Sequence, residues 1–237
     1  IRTERVYLQW VERFLKFHGY RLPETMGRPE VEAFLSHLAV VDDVAAATQN
    51  QALAAILFLY RELLKFDLPW LDEVVRAKKP QRLPTVMSRD EVRVVLARLD
   101  GQLALMAALL YGTGLRLMEC VRLRVKDVDF GYKQITVRDG KGAKDRVTML
   151  PDSLIDRLHR HLAEVKILHE HDVVQGLGDV YLPYALARKY PSSGRTWAWQ
   201  YVFPASRSSP DPRSERIGRH HIDPKSLQRA VAKAVHG

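Results

Sequence analysis

Two cations in this chain have the setting that chemistry on a phosphate ester requires. Arg116 follows the glycine-containing turn Tyr111-Gly-Thr-Gly114 at the expected start of a helix. Lys141 falls on the expected tip of a glycine-rich hairpin, Asp139-Gly-Lys-Gly-Ala-Lys-Asp145. A guanidinium can fork two phosphate oxygens, and the amides at a helix start offer further donors to the same anion. A lysine on a hairpin tip can enter a groove after docking and donate a proton. Each residue also has a plainer reading. Arg116 can pair with Glu119 one helical turn on, and Lys141 can be an ordinary soluble turn residue.

The elements around these residues are well signalled. Ser88-Arg-Asp-Glu91 is a capping box that opens a helix with Val92, Val95, Leu96 and Leu99 on its inner face and Gly101 closing it. Residues 103–110 are almost wholly apolar, so the next helix should be buried on most sides. Gly112 and Gly114 should turn the chain into a helix with Arg116 in its first turn, continuing through Met118, Val121 and Leu123. After Asp127 the period changes from helical to alternating, and residues 134–138 and 146–150 read as a β-hairpin. Pro151 starts a helix lined by Leu154, Leu158, Leu162 and Val165. Its histidines, His159, His161, His169 and His171, read as a wet basic face, since no cysteine or well-spaced carboxylate completes a metal site. Asp223 and Pro224 cap a last helix.

Upstream, Val6, Tyr7, Trp10, Val11, Phe14 and Leu15 recur at helical spacing, and Gly19 ends that helix. Further helices are expected over 29–41 and 45–66, the last presenting Thr48, Gln49, Asn50, Arg61 and Lys65 outward. Such a bundle can clamp DNA, with amides at groove edges and cations on phosphates; a solvated helix face explains the same residues. Residues 76–84, with Lys78, Lys79 and Arg82 between prolines, suit an extended basic linker. The expected organisation is a helical domain at 1–75, a linker at 76–87 and a second domain at 88–237. The fold class is mainly α with a small β-hairpin, α+β.

Composition narrows the partners. Thirty-seven Lys and Arg against 28 Asp and Glu give a formal charge of +9, which favours a polyanion such as nucleic acid or an anionic membrane surface. No apolar run approaches the roughly 20 residues of a membrane span and no signal-peptide pattern opens the chain, so the cytoplasm is the expected compartment. Cys120 is the single cysteine, which excludes an intrachain disulfide and a cysteine-based zinc site; it reads as a buried apolar residue.

The run from Tyr111 to Glu119, the segment Leu123-Arg-Val-Lys-Asp-Val-Asp-Phe130 and the box Gly140-Lys-Gly-Ala-Lys-Asp-Arg146 together resemble the tyrosine recombinases. Three further segments resemble the insertion that distinguishes integron integrases within that family. They are Leu182-Pro-Tyr-Ala-Leu-Ala-Arg-Lys-Tyr-Pro191, Trp197-Ala-Trp-Gln-Tyr-Val-Phe-Pro204 and Arg219-His-His221, within an insertion at about 176–222. The resemblance covers essentially the whole chain. It implies site-specific DNA recombination through a 3′-phosphotyrosine intermediate, with no metal or nucleotide cofactor and with four subunits assembled on DNA. It also implies that the insertion recognises bases extruded from folded single-stranded sites.

Carried over residue by residue, the resemblance makes Arg116 the ligand of the nonbridging oxygens, Lys141 the general acid and Glu119 a support for Arg116. Lys144 is the alternative acid if the hairpin register differs. Trp199, then Trp197, would stack on an extruded base, with Arg219, His220 and His221 contacting the base or its backbone. A strand alternating Trp197, Trp199, Tyr201 and Phe203, with one face in the core, is the plainer reading of the aromatics.

Several departures accompany the match. Met118 stands where a small polar residue is expected, and Gln49 and Asn50 replace basic residues. No His-x-x-Arg box lies in the second domain; the only such string, His18-Gly-Tyr-Arg21, is in the first. No tyrosine follows Tyr201. The chain therefore reads as an integrase cut at both ends that binds DNA without cleaving it. Two other readings remain open, a non-catalytic DNA-binding module and a recombinase of conventional duplex sites.

Overall fold

The computed structural model describes residues 2–66, 85–138, 140, 144–183, 186–211 and 217–236. Lys78, Lys79, Arg82 and Lys141 lie outside the described residues. The chain divides into two compact units, Ile1–Thr85 and Val86–Gly237.

The first unit is built from α1 (Arg2–Phe17), α2 (Arg28–Val40) and α3 (Ala46–Phe58). Their apolar stripes meet in a core that buries Phe14, Phe34, Leu38, Ile56 and Tyr60. The third helix does not run evenly to residue 66. It widens into a π-helical turn at Leu59–Leu63, and Lys65 takes a left-handed φ of 55°. The wider turn accompanies the burial of Tyr60, whose hydroxyl donates to the carbonyl of Pro23 at 2.9 Å. Burial pushes the Tyr60 phenol up to about 12.

The second unit begins with α4 (Arg89–Ala97). Its capping box forms as the sequence predicts, with the Ser88 amide donating to the Glu91 carboxylate at 2.7 Å and the Glu91 amide donating to the Ser88 hydroxyl at 3.3 Å. Gly101 does not close this helix. At φ +55° it opens the next one, α5 (Gly101–Thr113), which is buried from Ala104 to Leu109.

The Tyr111-Gly-Thr-Gly114 segment also differs from expectation. The helix continues through Gly112, and only Gly114 takes a left-handed angle, φ +66°. Gly112 is small for a packing reason, since a Cβ there would lie 2.9 Å from the Pro151 ring.

Beyond it come the single-turn α6 (Leu117–Val121) and a three-stranded antiparallel sheet. Its strands are β1 (Val128–Asp129), β2 (Gln134–Val137) and β3 (Arg146–Met149). The expected hairpin is β2–β3, in the register Gln134↔Met149 to Val137↔Arg146. The short β1 was not foreseen. Ile135 and Val137 point into the core and Thr136 does not, as a half-buried strand requires.

The long α7 (Asp152–Val174), α8 (Leu186–Lys189), the strand pair β4 (Ser209–Pro210) and β5 (Ile217–Gly218), and α9 (Pro224–His236) complete the unit. Asp223 caps α9 by accepting from the Lys225 amide at 2.9 Å. Met106, Leu109, Ile135, Leu158, Phe203 and Leu227 fill one core shared by helices, sheet and insertion. The architecture is mainly helical with small antiparallel sheets. No helix among the described residues is long and apolar enough to cross a membrane.

Two readings of the second unit are corrected. Trp197–Trp199 is a 3₁₀ turn, not part of an alternating strand, and extended backbone begins only at Gln200. The α7 histidines are not uniformly wet. His161 donates from Nε2 to the Val202 carbonyl at 2.7 Å and stacks on Phe203, and His169 lies tilted against Trp197 with ring centroids 5.9 Å apart. Both were missed because their partners belong to the insertion, far along the chain.

Candidate nucleic-acid site

Arg116 is the N-cap residue of α6, one position before the helix proper. Its backbone amide donates to Glu119 Oε2 at 2.8 Å and its Nη1 to Glu119 Oε1 at 2.8 Å. The local pairing open in the sequence is therefore made. It leaves the guanidinium 57% exposed while Glu119 is 8% exposed, so the arginine keeps donors for a second acceptor. Glu119 also accepts from Arg146 Nη2 at 2.8 Å, which links α6 to β3. Burial raises the Glu119 carboxyl, but the Arg116 hydrogen bonds and the Arg146 charge outweigh it and hold the group below its ordinary value. Lys144 is exposed, and its carbonyl accepts from the Gly140 amide at 3.2 Å across the base of the hairpin tip.

Next to this pair lies a cleft of about 920 Å³. Met118, Glu119, Arg122, Lys126, Trp199, His220 and His221 are among the residues that line it. The structure therefore brings three of the proposed base contacts into one cavity. Trp197 is not among its lining residues and packs against the core.

Trp199 carries a cation on its ring. The Lys126 ammonium sits 3.9 Å from the ring centroid and 3.7 Å from the Asp127 carboxylate. Burial holds Lys126 below its ordinary pKa. Asp127, itself 5% exposed, accepts from Arg138 at 2.7 Å.

His221 meets Tyr201 edge-on and donates from Nδ1 to the Ile222 carbonyl at 2.8 Å. Burial, with help from the charges of Arg122, His220 and Arg124, keeps it below its ordinary pKa. His220 Nε2 is buried with no hydrogen-bond partner among the described residues.

Arg219 belongs to a different part of the insertion. Its Nε and Nη2 both bond to Asp172 of α7, Nη2 at 2.8 Å, and its Nη1 donates to the Ala205 carbonyl at 3.0 Å. The guanidinium is thus engaged within the protein. In the first unit, Gln49 donates from its amide to the Leu35 carbonyl at 3.0 Å, tying α3 to α2. Asn50 is half-buried beside it.

Sequence reasoning passed over Arg124, Lys126, Asp127, Arg146 and Asp172. The segment Leu123-Arg-Val-Lys-Asp127 carries part of the family resemblance, but no local spacing signals that its cations meet Trp199 and Tyr181, more than 50 positions away. Among the described residues, no group of three or more His, Cys, Asp or Glu is placed to hold a metal ion.

The chain belongs to the phage integrase family, the tyrosine recombinases. Residues 85–230 match the model of that family, and residues 1–70 match the N-terminal SAM-like domain of phage integrases. Two curated proteins named integrase/recombinase, from Escherichia coli and Pseudomonas aeruginosa, are each 48% identical over 235 residues, covering 99% of this chain and 70% of theirs. A crystal structure of XerA recombinase aligns with 97% of this chain and 68% of its own at 22% identity, with a TM-score of 0.43.

Proposed function

We propose that this chain is the DNA-clamping and partial catalytic portion of an integron-type integrase, which recombines folded single-stranded or duplex sites in the cytoplasm. One observation carries the reading: Trp199, His220 and His221 line a single cleft that reaches Glu119, the partner of Arg116. The cleft volume is in the range of small-molecule sites, and an aromatic ring with neighbouring donors suits one base lifted out of a strand.

In this reading Arg116 holds the nonbridging oxygens of the scissile phosphate and stabilises the charge that develops there. A tyrosine oxygen attacks phosphorus, the bond to the 5′ oxygen breaks, and Lys141 protonates that oxygen; Lys144 is the alternative donor. Glu119 orients Arg116. The basic stretch with Lys78, Lys79 and Arg82 and the helix bearing Gln49 and Asn50 contact the DNA backbone, and a tetramer on DNA is the working assembly. No tyrosine follows Tyr201, and Tyr201 itself is buried with its hydroxyl accepting from Arg124, which does not suit it to the attack. In this reading the polypeptide of this sequence binds DNA without cleaving it.

The test is affinity for two folded strands of equal length, one with extruded bases and one fully paired. The reading expects tighter binding to the first. Lys126 already covers the Trp199 ring, which favours a second reading in which the insertion is a brace and the substrate is plain duplex. Equal affinities would support that one.

A further inference from the structure

Arg124 is an unusual residue to bury. It is 9% exposed, and its hydrogen bonds among the described residues go to two carbonyls and a hydroxyl. Its Nη1 donates to the Trp199 carbonyl at 2.6 Å; its Nη2 donates to the Tyr181 carbonyl at 2.8 Å and to the Tyr201 hydroxyl at 3.2 Å. The guanidinium carbon also lies 4.1 Å from the centre of the Tyr201 ring. All of these partners belong to the insertion, whereas Arg124 belongs to the loop between α6 and β1.

Backbone bonds on either side fix the same seam. The Val125 amide donates to Gln200 at 3.0 Å, and the Val202 amide donates to Leu123 at 2.8 Å. Such bonds set the path of the main chain, but they do not reach Tyr181 or set the angle at which the Trp197–Trp199 turn leaves the seam. Only a planar fork can hold the carbonyls of Trp199 and Tyr181 at once, and an ammonium on a flexible stem cannot reproduce that geometry.

We infer that Arg124 is a positioning residue for recognition: its guanidinium holds Trp199 and Tyr181, which both line the cleft, and thereby sets selectivity for an extruded base without touching it. This rests on the cleft being the base site. The nearby charge of Asp127 offsets part of the cost of burying this guanidinium.

The experiment uses Arg124→Lys and Arg124→Met in the full chain, with Trp199→Phe and the double variants alongside. Fluorescence isolates Trp199 as the difference between each protein and its Trp199→Phe counterpart. Both Arg124 variants should red-shift that difference spectrum and raise its quenching by acrylamide. Both should weaken binding to the folded strand with extruded bases by about ten-fold, while binding to the fully paired strand changes less than about two-fold. Arg124→Lys guards against a misfolded Arg124→Met, and circular dichroism of each variant checks the fold.

An unchanged Trp199 signal with unchanged selectivity overturns the inference. Equal losses on both strands also overturn it, because they mark a general structural role. If the Trp199 signal shifts but neither Trp199→Phe nor Arg124→Lys alters selectivity, Arg124 still positions the turn, and it is the assignment of the cleft to a base that fails.

Discussion

Glu119 is the residue on which the exposed arginine depends. It uses both carboxylate oxygens, on the amide and guanidinium of Arg116 and on Arg146, while only 8% exposed itself. Glu119→Gln should lower the stability of the second unit by about 1–2 kcal/mol at neutral pH, because charge-assisted bonds to two arginines become neutral ones. The sign with pH follows from the lowered carboxyl: the stabilisation is complete above the ordinary carboxylate range and disappears as pH falls through the folded value. Urea unfolding of both proteins from pH 7 to pH 3 should show the gap closing. A gap that is constant across that range would mean that Glu119 acts through shape and not charge. Cys120 beside it is buried and its thiol is pushed up to about 12 by burial, which suits a core residue and not a reactive one.

At the scale of elements, the insertion is held by an arginine at each end, Arg124 under the Trp199 turn and Arg219 against α7. The Arg219–Asp172 pair is 13% and 4% exposed, so removing one partner strands a buried charge. Asp172→Asn should cost about 3 kcal/mol in urea unfolding and leave affinity for paired DNA unchanged. A loss of affinity at unchanged stability would instead make Arg219 a contact to DNA.

The same elements show what a sequence can disclose. Capping at Ser88 and Asp223 and the alternation in β2 and β3 were legible, because each is written within a few neighbouring residues. Gly101 and Gly112 were misread because glycine marks both turns and close packing, and only the neighbour in space, Pro151 in the second case, tells them apart. The roles of Arg124, Asp172 and His161 depend on partners over 40 residues away, so no local period could announce them. The 3₁₀ turn at Trp197–Trp199 broke an apparent alternation because Trp197 packs into the core while Trp199 faces the cleft.

The whole molecule joins a helical unit to an α+β unit under a net charge of +9. Binding to any nucleic acid should weaken steeply with salt, with log K falling by about 0.9 for each duplex phosphate neutralised. Catalysis is a separate matter. Under the proposed reading, a labelled folded strand incubated with the 237-residue polypeptide should give no covalent adduct stable to detergent. An adduct from the purified chain would place a nucleophile where none is expected.

The substrate claim rests most heavily on Trp199, and one comparison of affinities tests it. Trp199→Ala should bind the folded strand with extruded bases about ten-fold more weakly than the unaltered chain, as the loss of one stacked base predicts. Its affinity for the fully paired strand should stay the same. Equal losses on both strands, or none on either, would contradict the account.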